Sequence, residues 1–166
     1  GLRRYFKIRR DVQERGHEIE AVNDAFDKRE EDAQRFIRPQ VKHADLVLSL
    51  QPIHPRMIAD PTAEQVLRYK LTVRTSQKFN ERSLVRVLVG VCGLHVDLSV
   101  NEDNTEIEFT IEGDTSAEDV SMAAGMLCPR IVEFLDTEPE WQDGVLGLMQ
   151  LVTLSHINQA LTKRFI

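Results

Sequence analysis

LHVDLSVNEDNTEIEFTIEG (residues 94–113) contains two short runs of alternating apolar and polar residues joined by a polar connection. A period of two is typical of a half-buried β-strand, and Asn and Asp in a short connection favour a turn. We therefore predict an antiparallel hairpin in which LHVDLSV (94–100) and EIEFTIEG (106–113) pair around NEDNT (101–105). The outward residues of this hairpin are acidic or polar.

Three further runs are β-branched or alternating and are bounded by turn-rich spacers: DLVLSL (45–50), LRYKLTVRT (67–75) and SLVRVLVG (83–90). With the hairpin they predict a mostly antiparallel sheet of about five strands.

Helical patterns lie on both sides of the strands. Apolar residues recur at helical spacing through residues 2–38, with Gly16 as a stop and Pro39 as the end. A second helix is predicted from Thr115 or Ser116 to about residue 136, and a last one over GVLGLMQLVTLSHINQALTKRF (144–165). The order predicts an α+β fold: an N-terminal helical segment (1–44), then an α+β domain (45–166) whose two C-terminal helices cover the sheet.

The composition excludes several classes of protein. The chain has 166 residues, 42% of them hydrophobic, and a net charge of -6, which argues against bulk binding to nucleic acid or anionic membrane. Cys92 and Cys128 are far apart and lack CxxC spacing, so we expect packing cysteines in a reducing compartment. With no run of eighteen apolar residues and no signal peptide, we expect a cytoplasmic protein with no membrane or nucleic-acid partner.

KIRRDVQERG (residues 7–16) is the strongest candidate site. One helical stripe carries four charged residues: Lys7, Arg10, Asp11 and Arg15. Guanidinium forks and an ammonium suit phosphate oxygens, and a carboxylate among them can orient a cation or accept a proton. Spacing alone favours a solvated helix with i,i+4 ion pairs such as Lys7 with Asp11. A nucleic-acid patch fits poorly, because the basic run is short and few aromatic residues accompany it.

Signatures of other chemistry are missing from the sequence. It contains no GxSxG, HExxH or GxGxxG, and no histidine stands at a recognised metal-ligand spacing. GxxxxGK[ST] is absent as well, so these residues contain no phosphate-cradling loop.

The motif K-x-x-R-D-x-x-x-R-G formed by residues 7–16 resembles the phosphoribulokinase and uridine kinase family. RFIRPQVKHADLVLSL (35–50) is similar to the P-Q-K-x-x-A-D turn and strand that follow in that family. The strand-rich extension and terminal helix after residue 50 favour the phosphoribulokinase side of the family.

The resemblance implies an ATP-dependent kinase that transfers a γ-phosphate to a sugar or sugar-phosphate hydroxyl with magnesium. In such a kinase Lys7, Arg10 and Arg15 neutralise ATP and sugar-phosphate oxygens. Lys7 and Asp11 are then the expected catalytic residues, with Asp11 an accessory acid near magnesium. The Walker A loop and the catalytic base come from the N-terminal region of the same protein, so we expect residues 1–166 alone to be inactive.

A second hypothesis treats residues 45–166 as a regulatory or oligomerisation module without catalysis. The last helix carries more apolar residues than one buried stripe needs: Val145, Leu146, Leu148, Met149, Leu151, Val152 and Leu154. We therefore expect a homo-oligomeric contact through this helix.

Overall fold

The computed structural model describes residues 1–76, 80–101, 103 and 105–164. The chain forms two compact units, one of Gly1–Asp45 with Leu50–Tyr69 and one of Leu46–Ser49 with Lys70–Ile166. N-terminal helices, a four-stranded sheet and C-terminal helices follow one another, so the predicted α+β class is confirmed.

The first unit is mainly helical, with these elements in order: α1 (Leu2–Ile8), a π-helical segment (Arg9–Glu14), α2 (Ile19–Asp32), a π-helical turn (Ala33–Ile37) and two 3₁₀ helices (Arg38–His43 and Pro55–Ile58). Gly16 has a φ of +68°, a left-handed conformation that favours glycine. The predicted stop after the first helix is therefore confirmed.

The sheet has the order β1-β2-β4-β3. Its strands are β1 (Leu46–Pro52), β2 (Tyr69–Ser76), β3 (His95–Val100) and β4 (Glu106–Glu112). β4 pairs antiparallel with both β2 and β3, and Phe109 lies opposite Val73 on one side and Leu98 on the other. The predicted hairpin is thus confirmed, although residues 102 and 104 of its connection lie outside the described part. In the described part of the chain the sheet has four strands and not five.

The missing fifth strand is a helix. SLVRVLVG (83–90), which we predicted as a strand, lies in α3 (Glu81–Gly90). Its buried residues Leu84, Val87 and Leu88 recur at intervals of three and four, which is a helical period. The Asn80 side chain also accepts a hydrogen bond from the Ser83 N–H at 3.3 Å, which caps the helix. Burial of this face overrides the strand propensity of the valines.

Residues 105–164 of the described chain end in the helices α4 (Ala117–Leu127), α5 (Ile131–Leu135) and α6 (Gly144–Arg164). Ser116 caps α4 by accepting a hydrogen bond from the Asp119 N–H at 3.1 Å, so the predicted start is confirmed. The predicted continuous helix to residue 136 is wrong. Cys128 leaves the helical region, with φ -136° and ψ 59°, because the following Pro129 disfavours α-helical geometry at that residue.

The core of the second unit is apolar and closely packed. Ile107, Phe109 and Ile111 of β4 are buried, and α3 packs on β3 and α4, while α4 packs on α6. Both cysteines are buried and free, as expected for packing cysteines. Among the residues described, no helix is long and apolar enough to cross a membrane.

Phe109 tests this core directly. Phe109→Ala removes a fully buried ring from the central strand β4, so we expect the free energy of unfolding to fall by about 3–5 kcal/mol. Urea denaturation followed by circular dichroism measures the change. Leu98→Ala is the matched control, since Leu98 lies opposite Phe109 but is 49% exposed. Equal losses in the two variants contradict the assignment of the core.

Candidate functional site

The charged stripe of residues 7–15 lies where α1 passes into the π-helical segment. Tyr5 and Ile8 of α1 are buried and anchor the apolar face of this helix. In the segment Arg9–Glu14 the α-helical bonding pattern is replaced, and the His17 N–H donates to the Asp11 carbonyl at 2.9 Å. Such segments wind more widely than an α-helix and frequently occur at functional sites.

Asp11 is buried at the centre of three cations. Arg10 Nε donates to its Oδ1 at 2.8 Å and Arg15 Nη1 to the same oxygen at 3.2 Å. Lys7 Nζ lies 3.4 Å from Oδ2. The structure therefore brings together all four predicted site residues, and it places the carboxylate inside the group although spacing had put it on the solvated face.

Ionic contacts change the titration of this group. The hydrogen bond from Arg10 is the main cause that lowers the pKa of Asp11 to about 2, and Lys7 adds to it against the opposing effect of desolvation. The same hydrogen bond raises the pKa of Arg10. Asp11 is thus a fixed anion at any physiological pH.

An open pocket of about 620 Å³ lies beside this cluster, between α1 with its π-helical segment and α2. Its lining combines five cations, two carboxylates and two aromatic rings: Arg3, Lys7, Arg9, Arg10, Arg29, Glu14, Glu30, Phe6 and Phe26. An excess of cations in a concave surface with apolar walls suits an anionic ligand.

Contacts between the helices hold the two sides of the pocket in place. Arg4 of α1 donates to Asn23 of α2 at 3.0 Å and pairs with Asp27 at 3.3 Å. Its guanidinium also lies 5.6 Å from the centre of the Phe26 ring. Glu30 of α2, which also lines the pocket, forms an ion pair with Arg38.

Two of the predicted residues, Lys7 and Arg10, line the pocket, whereas Asp11 and Arg15 do not. The sequence analysis missed the contributions of Arg3, Phe6 and Arg29. Helical spacing could have indicated Arg3 and Phe6, which precede Lys7 and Arg10 on the same face of α1. Nothing in the local pattern indicates Arg29, because it depends on the packing of α2 against α1.

The structure was searched for clusters of metal-ligating side chains among the described residues. Within residues 1–76, 80–101, 103 and 105–164, no group of three or more His, Cys, Asp or Glu side chains could hold a metal ion. The Asp11 carboxylate is instead engaged by Lys7, Arg10 and Arg15.

The sequence of the N-terminal part of the chain, which contains the cation cluster, is similar to sequences of known proteins. Residues 2–55 match the sequence model of the phosphoribulokinase / uridine kinase family. The chain is similar to the chloroplastic phosphoribulokinase of Triticum aestivum, with 38% identity over 74 residues, 45% of this chain and 18% of that protein. It is similar to the chloroplastic enzyme of Spinacia oleracea, with 35% identity over 74 residues and the same shares. To phosphoribulokinase of Synechocystis sp. it is 36% identical over 76 residues, 46% of this chain and 22% of that protein.

These matches confirm the family resemblance for the N-terminal part of the chain, which contains the whole cation cluster. The chain spans about a fifth of the length of the curated relatives it matches.

The lowered pKa of Asp11 gives a pH prediction. A carboxylate with a pKa of about 2 in the folded state, against an ordinary value of 3.8, stabilises the fold fully above pH 4 and loses this contribution as pH falls towards 2. Asp11→Asn removes the ionic contribution and leaves three cations close together. We expect the variant to be less stable at pH 6, and its deficit to shrink as pH falls from 4 to 2.5.

Urea denaturation at a series of pH values measures this deficit. Asp24→Asn is the matched control, since Asp24 is an exposed carboxylate of α2. A deficit of Asp11→Asn that stays constant down to pH 2.5 contradicts the ionic role of this carboxylate.

Proposed function

We propose that this chain, whose residues 2–55 match the phosphoribulokinase / uridine kinase family, is part of an ATP-dependent phosphotransferase that acts on a sugar phosphate. In this proposal α1, its π-helical segment and α2 form the cationic lid of the site. The observation that carries the proposal is the buried Asp11 carboxylate, which holds three motif cations within 3.4 Å while two of them reach the wall of a cationic pocket.

Catalysis of phosphoryl transfer depends mostly on positioning and on neutralisation of charge on the phosphate oxygens. The cluster has three positive charges and one negative charge. It therefore keeps a net positive charge after Asp11 has paired with the cations, and this net charge attracts phosphate. Lys7 and Arg10 contact oxygens of the ATP phosphates and the sugar phosphate in this proposal, and Arg15 adds positive charge beside Arg10 through its contact with Asp11 Oδ1.

Asp11 acts in this proposal as a positioning residue. Its carboxylate fixes the directions of the long cationic side chains before substrate binds, which lowers the entropy lost on binding. A role for Asp11 as an accessory acid near magnesium stays a prediction.

The rest of the site must come from outside residues 1–166. These residues contain no GxxxxGK[ST] loop to cradle nucleotide phosphates. We propose that a P-loop region of the same protein supplies this loop together with the catalytic base, and that ATP, magnesium and sugar phosphate bind where that region meets the lid.

Kinase kinetics test the proposal. In a protein that contains both the P-loop region and this chain, Arg10→Ala is expected to lower kcat/KM for ribulose 5-phosphate and ATP about 10²- to 10³-fold, because it removes charge neutralisation from the transition state. A coupled assay of ADP release measures the rate. Arg35→Ala is the control, since the Arg35 guanidinium lies 5.1 Å from the centre of the Phe36 ring and does not line the pocket.

Residues 1–166 alone are expected to give no turnover in the same assay. Turnover by these residues alone, or equal rates for Arg10→Ala and Arg35→Ala, contradicts the proposed division of the site.

A second candidate function, homo-oligomerisation, is supported by α6. Leu148, Leu151 and Val152 form its buried face. Leu146 and Ile157, which are 57% and 43% exposed, stand eleven residues apart and therefore point in nearly the same direction, away from that face. Two exposed apolar side chains on one side of a helix are candidate contacts with a second copy of the chain.

Light scattering coupled to size-exclusion chromatography tests this contact over a range of concentrations. We expect a concentration-dependent dimer whose dissociation constant rises at least about tenfold in the double variant Leu146→Glu, Ile157→Glu, because burial of the two side chains is lost. Val66→Glu, at a valine that is 87% exposed elsewhere in the chain, is the control. A monomer at every concentration contradicts this second function.

A further inference from the structure

The solvent-facing side of α4 carries two exposed methionines. Met122 and Met126 stand one helical turn apart and are 55% and 62% exposed. The other side of the helix is buried through Val120, Ala123 and Ala124, and α4 packs on α3 and α6. The two methionines therefore lie outside the core, and each exposes most of an apolar side chain to solvent.

This exposed side of α4 is also uncharged. Residues 120–129 contain no Asp, Glu, Lys or Arg, although 29% of the whole sequence is charged. The outer side of a surface helix ordinarily carries charged or polar residues, and an exposed apolar side is typical of a contact with a partner. Methionine suits such a contact, because its flexible and polarizable side chain adapts to the shape of the partner.

Gly125 lies beside the two methionines and is exposed as well. A glycine inside a helix costs about 1 kcal/mol relative to alanine. Packing does not require it, since a Cβ at residue 125 would meet no neighbouring group of the described chain within 4 Å. The missing side chain does, however, let the backbone of another helix approach α4 closely.

The surroundings of α4 are acidic. Residues 113–143 contain eight Asp and Glu against one Arg, a net charge of -7. Glu118 is exposed one turn before Met122. The acidic loop after α5 returns to the start of α4, where the Asp143 carboxylate accepts a hydrogen bond from the Ala117 N–H at 2.7 Å. Carboxylates therefore border the uncharged side of α4.

The single cation of this region does not offset the border, because Arg130 Nε pairs with Glu133 Oε2 at 2.7 Å. Acidic side chains around an apolar contact attract a basic partner and repel an acidic one. A second copy of the same surface, an anionic membrane or a nucleic acid would each meet like charge here. The charge therefore favours a basic protein segment as the occupant.

We propose that the exposed side of α4 binds a basic amphipathic helix of another protein. The apolar side of that helix covers Met122 and Met126, its backbone passes over Gly125, and its Lys or Arg side chains pair with carboxylates such as Glu118. α4 has eleven residues and is about 16 Å long, so three turns of the partner match it. The surface does not involve residues 1–45, so the proposal is independent of the phosphate site.

Fluorescence anisotropy of a labelled synthetic peptide tests this surface on the 166-residue chain. The probe is an amphipathic helix of about 14 residues, with leucine along one side and lysine along the other. A second peptide has glutamate in place of every lysine. We expect the lysine peptide to bind with a dissociation constant in the micromolar range, and at least about tenfold more tightly than the glutamate peptide, because the acidic border attracts only the former.

The double variant Met122→Gln, Met126→Gln removes the apolar contact and keeps side-chain length and helix propensity. It is expected to weaken binding of the lysine peptide at least about tenfold, since burial of two methionines is lost. Gly125→Gln is expected to weaken it about fivefold, because it places a side chain in the path of the partner.

Leu98→Gln, Val100→Gln is the matched control, because these two side chains of β3 are 49% and 44% exposed. It is expected to leave the affinity unchanged, and circular dichroism checks that every variant is folded.

Equal affinities of the two peptides, or an unchanged affinity in the methionine variant, overturn the proposal. Binding to phosphatidylcholine vesicles that the methionine variant loses identifies a membrane contact instead. Self-association that the same variant loses identifies a second copy of the chain as the occupant, which also contradicts the proposal. Absence of binding of the lysine peptide at chain concentrations up to about 1 mM rejects the surface altogether.

Discussion

The buried carboxylate of Asp11 is the interaction on which the candidate site depends. Without it, Lys7, Arg10 and Arg15 are three like charges on neighbouring helical turns that repel one another and sample many rotamers. With it, each cation has a fixed partner within 3.4 Å. The π-helical geometry of the segment Arg9–Glu14 brings this carboxylate under the cations. The positions of the three cations therefore depend on the backbone conformation at Asp11.

Much of the fold could be predicted from periodicity. The alternation of apolar and polar residues in 94–113 predicts the β3–β4 hairpin, because one face of an antiparallel sheet packs on the core and the other is exposed to solvent. The error at α3 has an identifiable cause, since its valines at every second position imitate a strand, while its buried residues Leu84, Val87 and Leu88 follow a helical period. Pro129 indicates a break after α4. The apolar residues keep a helical spacing on both sides of Pro129, however, so the sequence analysis predicted one continuous helix.

The site was predictable only in part, and for a different reason. The family resemblance identified Lys7, Arg10, Asp11 and Arg15. The sequence analysis assumed a regular α-helix through these residues, and in such a helix Asp11 is exposed. A π-helical segment has no reliable local signal, so the burial of Asp11 could not be predicted. Arg29 and Phe26 belong to the pocket through the packing of α2 on α1, which is a tertiary contact that no local pattern reveals.

The cation cluster is a local exception in an acidic protein, and this affects how quickly an anion can find it. Residues 1–45 contain eleven Lys and Arg against ten Asp and Glu, a net charge of +1, so the remaining residues carry a net charge of -7. At physiological ionic strength, fields decay over about 8 Å, and an approaching polyanion is not attracted from a distance. Its capture depends on random encounter followed by strong short-range attraction. Association is consequently slower than for a uniformly basic protein, and added salt weakens retention of the ligand more than it slows the encounter.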